Sequence, residues 1–384
     1  MNFEFATATR IVFGRGAAAC IGAEAAALGR HAFVLTGSRP ERSSPLLHQL
    51  ENHHVRHTLF RVEQEPTTEI ALAAVRQAVA GNCDLVIGVG GGSVIDAGKV
   101  VAALLTNGGD PMDYLEVIGS GRALQRMSAA FIAVPTTAGT GAEVTRNAVL
   151  ESHVHGVKVS MRNPFMLPRL AVVDPELTFS MPPGLTAATG LDALTQLLEA
   201  FVSRNANPLA DAICREGLAR AARSLLLAFC NGDDPVARED MCLASLCGGL
   251  ALANAKLGAV HGIAGPFGGA FKAPHGAVCG RLLPFVAAAN LAAIRRRASG
   301  SPAAARFEEV ARILTANSSA GADEGVAWLR SLCGRLRVPR LSAYGFSLAH
   351  SQDLIAKSIR SSSMRGNPID LTTQELETIL EQAC

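Results

Sequence analysis

Asp192, His261 and His275 are the residues of this chain whose types and spacing could hold a metal ion. Asp192 and Gln196 lie four apart in Gly190-Leu191-Asp192-Ala193-Leu194-Thr195-Gln196-Leu197-Leu198-Glu199, a stretch with helical spacing, so their side chains share one face. His261 and His275 follow far downstream, fourteen residues apart. A carboxylate and two imidazoles leave coordination positions open for a substrate and suit Fe(II) or Zn(II). Each residue also has a plainer reading: a solvated helix charge for Asp192, a surface amide for Gln196, a hydrogen-bonded core residue for His261. The residues alone leave both readings open.

A second constellation is Gly90-Gly91-Gly92-Ser93-Val94-Ile95-Asp96-Ala97-Gly98-Lys99, which follows the buried-strand pattern Asp84–Val89 and opens a helical segment. Glycines between a strand and a helix let backbone N–H groups approach a diphosphate, and the helix dipole favours the anion. Ser93 suits an N-cap or a phosphate donor, and Asp96 falls in the first helical turn. The run matches neither G-x-G-x-x-G nor G-x-x-x-x-G-K-[ST].

The elements that must position these residues change along the chain. The first half alternates short apolar runs (residues 10–14, 31–36, 57–62, 84–89 and 130–135) with helical stretches, the pattern of a parallel sheet covered on both faces. After Asp174-Pro175, Ala/Leu-rich helical spacing dominates over 185–203, 208–229, 235–255, 303–315, 323–336 and 372–382. We therefore expect a Rossmann-like α/β nucleotide-binding domain over 1–178 and an all-α domain over 179–384 that carries the metal and substrate. With 35 basic and 33 acidic residues scattered along 384, and one Trp and two Tyr, the chain offers nucleic acid and anionic membranes no footprint. The first residues lack the basic and apolar regions of a secretory signal, and no uninterrupted apolar run is long enough to span a bilayer. Nine cysteines without a C-x-x-C pair read as core residues of a reduced, cytoplasmic protein.

Taken together, these stretches resemble the iron-containing (group III) alcohol dehydrogenases, related to glycerol dehydrogenase and maleylacetate reductase. The likeness runs nearly end to end. Phe13-Gly14-Arg15-Gly16 matches the opening turn, and Gly90-Gly91-Gly92-Ser93-x-x-Asp96-x-x-Lys99 the phosphate signature. Pro135-Thr136-Thr137-Ala138-Gly139-Thr140-Gly141-Ala142-Glu143-Val144-Thr145 matches the most specific motif, with Ala142 where Ser is usual. Lys158, Pro168, Asp174–Thr178, Thr189–Thr195, the two-histidine segment and Asn367-Pro368 follow in order. The resemblance implies a dehydroquinate synthase-like two-domain fold, nicotinamide-dependent interconversion of an alcohol with an aldehyde or ketone, a catalytic metal (Fe2+ or Zn2+) and a homo-oligomer, a dimer foremost. It places the metal on Asp192, His261 and His275, assisted by Gln196. The cofactor falls on Gly90, Gly91, Gly92, Ser93 and Asp96, on Thr136, Thr137 and Thr140, and on Lys158 near the nicotinamide ribose.

Three positions depart from the pattern. Gln196 stands where the family has His, and an amide oxygen is the weaker ligand. Gly265 stands where the family often has His near the nicotinamide, so the alcohol proton needs another route and a bulkier substrate finds room. Gly37-Ser38-Arg39 replaces the Asp of NAD-using members. Losing that carboxylate and gaining a hydroxyl and a guanidinium favours NADP(H) over NAD(H), against the plainer reading of a Gly-Ser turn with a solvated Arg. Two rival functions remain. One is a metal-independent reductase of an anionic oxo-acid, like maleylacetate reductase, with Lys357, Arg360 and Arg365 as carboxylate clamps. The other is a non-catalytic nucleotide-binding relative. Retention of Asp192 speaks against the first, and intact Asp192, His261 and His275 speak against the second. Phe165, Phe267, Phe271 and Phe285 suggest an apolar substrate lining.

Overall fold

The computed structural model describes residues 2–384. It divides into two compact units, one of Ala6–Thr137 with Gly141–Phe179, the other of Ser180–Cys384 with Ala138–Thr140 and the chain start up to Phe5.

The first unit runs β1 (Ile11–Phe13), α1 (Ile21–Leu28), β2 (His31–Thr36), α2 (Ser44–Asn52), β3 (Arg56–Arg61), α3 (Thr68–Ala80), β4 (Leu85–Gly90), α4 (Gly92–Asn107), α5 (Pro111–Tyr114), β5 (Ala130–Pro135), β6 (Asn147–Ser152), β7 (Val157–Arg162) and β8 (Leu170–Val173). Six strands form a parallel sheet in the order β1-β8-β5-β4-β2-β3. Alternate residues feed opposite cores: Phe33, Leu35 and Val86 pack with α3 and α4, while Ala32, Val34, Leu85 and Ile87 pack with α1 and α2. Burial on both faces is why these strands read as unbroken apolar runs. From β2 the chain passes outward to β3, and from β4 it passes the other way to β5, so the order reverses between β2 and β4. Ligands of open α/β sheets bind at the carboxyl ends of the strands at such a switch point.

One element went unread in the sequence. β6 and β7 form an antiparallel hairpin, Asn147 opposite Arg162 and Ser152 opposite Val157. It is stitched to α4 from two sides: the Val149 N–H donates to Asp96 Oδ2 at 3.0 Å, and Lys99 Nζ donates to the Asn147 carbonyl at 2.7 Å and to Thr145 Oγ1 at 2.8 Å.

The second unit is helical: α6 (Pro183–Val202), α7 (Pro208–Cys230), α8 (Pro235–Ala255), α9 (Ala259–Phe271), α10 (His275–Arg297), α11 (Pro302–Thr315), α12 (Ala322–Arg335), α13 (Ser351–Arg360) and α14 (Thr373–Ala383). Proline opens α6, α7, α8 and α11, where its missing N–H costs nothing, and Asn207, Asp234 and Ser301 cap the last three. α6 is buried along nearly its whole length and packs on α7, α8 and α10. Its approach to α10 is fixed by glycine: a Cβ on Gly276 would lie 2.0 Å from the Ala188 carbonyl oxygen, and one on Gly280 would lie 2.5 Å from Leu191. By length and composition α10 could cross a membrane, but most of it is buried within this unit.

Candidate functional site

The chemistry-bearing face of α6 presents Asp192, Gln196 and Glu199, successive turns of one helix and all buried. α9 brings His261 to that face within its first turn, and α10 brings His275 at its first residue and Cys279 one turn later. One ligand atom from each of Asp192, His261, His275 and Cys279 lies within 4.8 Å of every other. His261 Nε2 is 3.2 Å from Asp192 Oδ1, His275 Nε2 is 3.8 Å from the same oxygen, and Cys279 Sγ is 3.6 Å from His275 Nε2. A tetrahedral ion with bonds of 2.0–2.3 Å sets its ligand atoms about 3.3–3.8 Å apart. One carboxylate, two imidazoles and one thiol at those separations fit a divalent transition ion.

Glu199 fixes the tautomer of His261. Its Oε2 accepts from Nδ1 at 2.7 Å and its Oε1 accepts from the Val260 N–H at 2.6 Å, so Nδ1 keeps its proton and Nε2, which donates to Asp192 Oδ1 at 3.2 Å, is the nitrogen that could give up its proton to an ion. Gln196 behaves differently. Its Oε1 is buried with no hydrogen-bond partner and lies against Gly248 of α8, while bonding from its amide helps hold the Asp192 carboxyl down. The side chain of His275 is 37% exposed, the open side of an otherwise buried cluster.

The charges are strongly coupled. Burial works against ionised Asp192, but hydrogen bonding and charge from the two imidazoles outweigh it and keep the carboxyl below its ordinary range. Burial likewise opposes charge at Cys279, yet His275 and His261 hold its thiol low. Cys247 and Cys333, with no such neighbours, are pushed up to about 12 by burial. Both imidazoles are raised despite desolvation, His275 to about 9, chiefly by the thiolate beside it. A metal ion held by these side chains would take the place of those protons.

In the other unit, the glycine turn sits at the switch point. Gly90 ends β4 and Gly91 caps α4, and a Cβ on Gly90 would lie 2.5 Å from Val94. Thr136 donates its N–H to the Gly90 carbonyl at 3.0 Å, and the Thr137 hydroxyl stands 3.4 Å from where a Gly91 Cβ would lie. Gly37 follows β2 on the neighbouring strand end, with Ser38 and Arg39 exposed beyond it. The structure thus aligns Gly37, Gly90–Ser93, Thr136 and Thr137 along one end of the sheet. Asp96 and Lys99 bind the hairpin, Lys158 pairs with Glu65 at 3.4 Å, and Thr140 groups with the helical unit.

Sequence reasoning missed Glu199 and Cys279. Both signals were present: Glu199 stands seven residues after Asp192 on its helix, and Cys279 four after His275. The candidate apolar lining divides. Phe267 and Phe271 stack at 4.7 Å in a cluster with Phe346 and His350, whereas Phe285 lies beneath the guanidiniums of Arg281 and Arg330. A Cβ on Gly265 would meet nothing within 4 Å, and Lys357 is paired with Asp353 at 2.7 Å.

Comparison with known proteins places these features in a lineage. Residues 8–175 match the family described as iron-containing alcohol dehydrogenase, and residues 186–384 match the C-terminal region of the Fe-containing alcohol dehydrogenase family. Long-chain-alcohol dehydrogenase 1 of Geobacillus thermodenitrificans is 41% identical over 67% of this chain and 65% of its own length. The 1,3-propanediol dehydrogenase of Klebsiella pneumoniae is 32% identical over 99% of this chain and 98% of its own. A crystal structure of a 1,3-propanediol oxidoreductase superposes with a TM-score of 0.92 at 30% identity, covering both chains completely.

Proposed function

The chain belongs to the iron-containing alcohol dehydrogenase family, and we propose that it interconverts a small-molecule alcohol and its aldehyde or ketone by metal-assisted hydride transfer with a nicotinamide cofactor. The observation that carries this reading is the convergence of Asp192, His261 and His275 from three helices on one buried point. A divalent metal there supplies Lewis acidity to the substrate oxygen, and the nicotinamide supplies or accepts the hydride.

The remaining work belongs to the chain's own residues. Asp192 contributes negative charge to the centre. Glu199 keeps His261 in the tautomer whose Nε2 is free to ligate. The exposed side of His275 marks where a substrate oxygen reaches the centre. Gly90, Gly91, Gly92 and Ser93 present backbone N–H groups and a helix N-terminus to the diphosphate, with Thr136, Thr137 and Thr140 beside it and Lys158 near the nicotinamide ribose. Asp96, expected at the ribose, holds the hairpin through Val149 and so braces that turn from behind. Gly265 offers no proton carrier, so the alcohol proton leaves through water or a ribose hydroxyl, and the open space there admits a bulky substituent. Gly37, Ser38 and Arg39 favour NADP(H). Assembly as a homodimer in the cytoplasm completes the reading; nine unpaired cysteines among the described residues support a reducing compartment.

The test is metal content coupled to turnover of a panel of aldehydes with NADPH and NADH, before and after chelation. Activity that is lost with the metal and restored by adding it back supports the proposal, as does a His275→Ala protein that binds cofactor normally but neither metal nor substrate turnover survives. Full activity in metal-free protein replaces it with the metal-independent reductase.

A further inference from the structure

We propose that Cys279 is the fourth protein ligand of this centre, in place of Gln196, and that the centre therefore selects zinc over ferrous iron. The inference rests on the metal reading above and adds the identity of one ligand and of the ion.

The argument is geometric. Cys279 stands one turn after His275 on α10, so the two side chains leave the helix on the same face. Its sulfur is fully buried, 3.6 Å from His275 Nε2 and within 4.8 Å of the ligand atoms of Asp192 and His261. That separation lies inside the range spanned by the edges of a tetrahedron built on metal–ligand bonds of about 2.0–2.3 Å. Gln196, by contrast, turns its one coordinating atom toward Gly248: a Cβ there would lie 3.1 Å from Oε1. Its amide instead bonds toward Asp192. Gln196 is thus a positioning residue for the carboxylate, and α10 supplies the fourth donor that α6 does not.

The chemistry of the set then decides the ion. Thiolate is a soft donor, and a carboxylate, two imidazoles and a thiolate form a set that favours Zn(II) over Fe(II) beyond the general preference of such sites for zinc. Two anionic ligands also neutralise a divalent ion in a buried place, which removes the cost of an uncompensated charge. A substrate oxygen approaching past His275 would make the ion five-coordinate, an expansion zinc accepts.

The experiment titrates metal-free protein with Co(II), Zn(II) and Fe(II) separately, by absorption and by competition with a chelator, for the wild type and for Cys279→Ser and Gln196→Ala. Circular dichroism confirms that each variant is folded. Wild-type protein loaded with Co(II) should show near-ultraviolet thiolate-to-cobalt absorption that Cys279→Ser lacks. Cys279→Ser should lose more than about a hundredfold in zinc affinity, since partners one shell further out already account for 10–100-fold. Gln196→Ala should keep the sulfur absorption and lose less zinc affinity than Cys279→Ser. Cobalt bound by the wild type without sulfur absorption overturns the inference and leaves the metal reading standing. A greater loss in Gln196→Ala than in Cys279→Ser does the same. Failure of the wild type to bind any of the three ions overturns both readings together.

Discussion

Replacing Glu199 with glutamine changes one oxygen for an NH2 group and should still reach the metal centre. Both carboxylate oxygens are committed in the buried interior: Oε1 to the Val260 N–H at 2.6 Å, Oε2 to His261 Nδ1 at 2.7 Å. The amide has one acceptor to give. If its oxygen stays with the backbone donor, which has no alternative, its NH2 faces Nδ1. The imidazole must then carry its proton on Nε2, the atom that stands 3.2 Å from Asp192 and would bind the ion. Binding metal would require breaking that arrangement. The cost is of the order of one charged hydrogen bond, about 1.5–3 kcal/mol, or roughly 10- to 150-fold in metal affinity. Chelator competition reads this directly. Thermal unfolding gives an independent check, because an ion present at about a thousand times its Kd stabilises the fold by about 4 kcal/mol, and the variant should forfeit about half of that. The comparison with metal-free protein separates this loss from any damage to the fold itself. Zinc affinity within about threefold of wild type would refute the tautomer argument.

At the cofactor end, a Cβ on Gly37 would meet only Val94, at 3.9 Å, so Gly37→Asp adds charge without crowding. A carboxylate near a partly exposed 2′-phosphate should shift the NADPH/NADH ratio of kcat/KM toward NADH by about 1–3 kcal/mol, ten- to a hundredfold, at matched ionic strength; an unchanged ratio would show Gly37 to be a turn residue only. Gly276→Ala should be destabilising by about 1–3 kcal/mol and should weaken metal binding, because its Cβ would lie 2.0 Å from the Ala188 carbonyl and drive α10 from α6; a melting temperature like that of wild type would contradict the close approach. Burial, opposed by a backbone bond and by Lys99, pushes the Glu143 carboxyl from 4.5 up to about 7, so the folded chain holds a proton there that the unfolded chain has lost. That stabilisation is complete below about pH 4.5 and is lost as pH rises to about 7, up to about 3 kcal/mol; urea unfolding at several pH values should show the decline, and Glu143→Gln should flatten it.

The parallel sheet was readable because strands buried on both faces must be apolar at every position, as in Leu85–Gly90. The β6–β7 hairpin was not: one face is only half-buried, its strands carry Glu151, Lys158 and Arg162, and its turn holds no Asn-Gly or Asp-Gly. α9 and α10 were hidden by Pro266 and Pro284, which mark helix ends in a sequence yet sit inside helices here. Packing overrides the penalty, and the Gly280 carbonyl, which Pro284 deprives of its helical donor, accepts the thiol of Cys333 at 3.1 Å. Within the site, helical spacing joined Asp192 to Gln196, and the resemblance to the alcohol dehydrogenases supplied the histidines. Cys279 stayed hidden because six of the nine cysteines, this one included, are buried, and burial alone does not separate a ligand from a core residue.

The position of β1 has a consequence in time. The first strand of the chain pairs only with β8, the last of the sheet, and the turn after it is closed by Asp174, which accepts the backbone N–H groups of Gly16 and Ala18. Gly16 and Asp174 are 158 residues apart, and synthesis at about 5–20 residues per second puts roughly 10–30 s between their appearances at the ribosome. Throughout that interval Ile11-Val12-Phe13 has no strand partner, and once β5 has been made its outer edge stays open until β8 covers it. The nascent chain therefore passes through a stage with an exposed apolar segment at its start and an unpaired strand edge, and this stage ends only when residues 170–174 have emerged. A truncation that stops short of Asp174 would retain the glycine turn and the switch point between β2 and β4, yet leave the sheet unclosed.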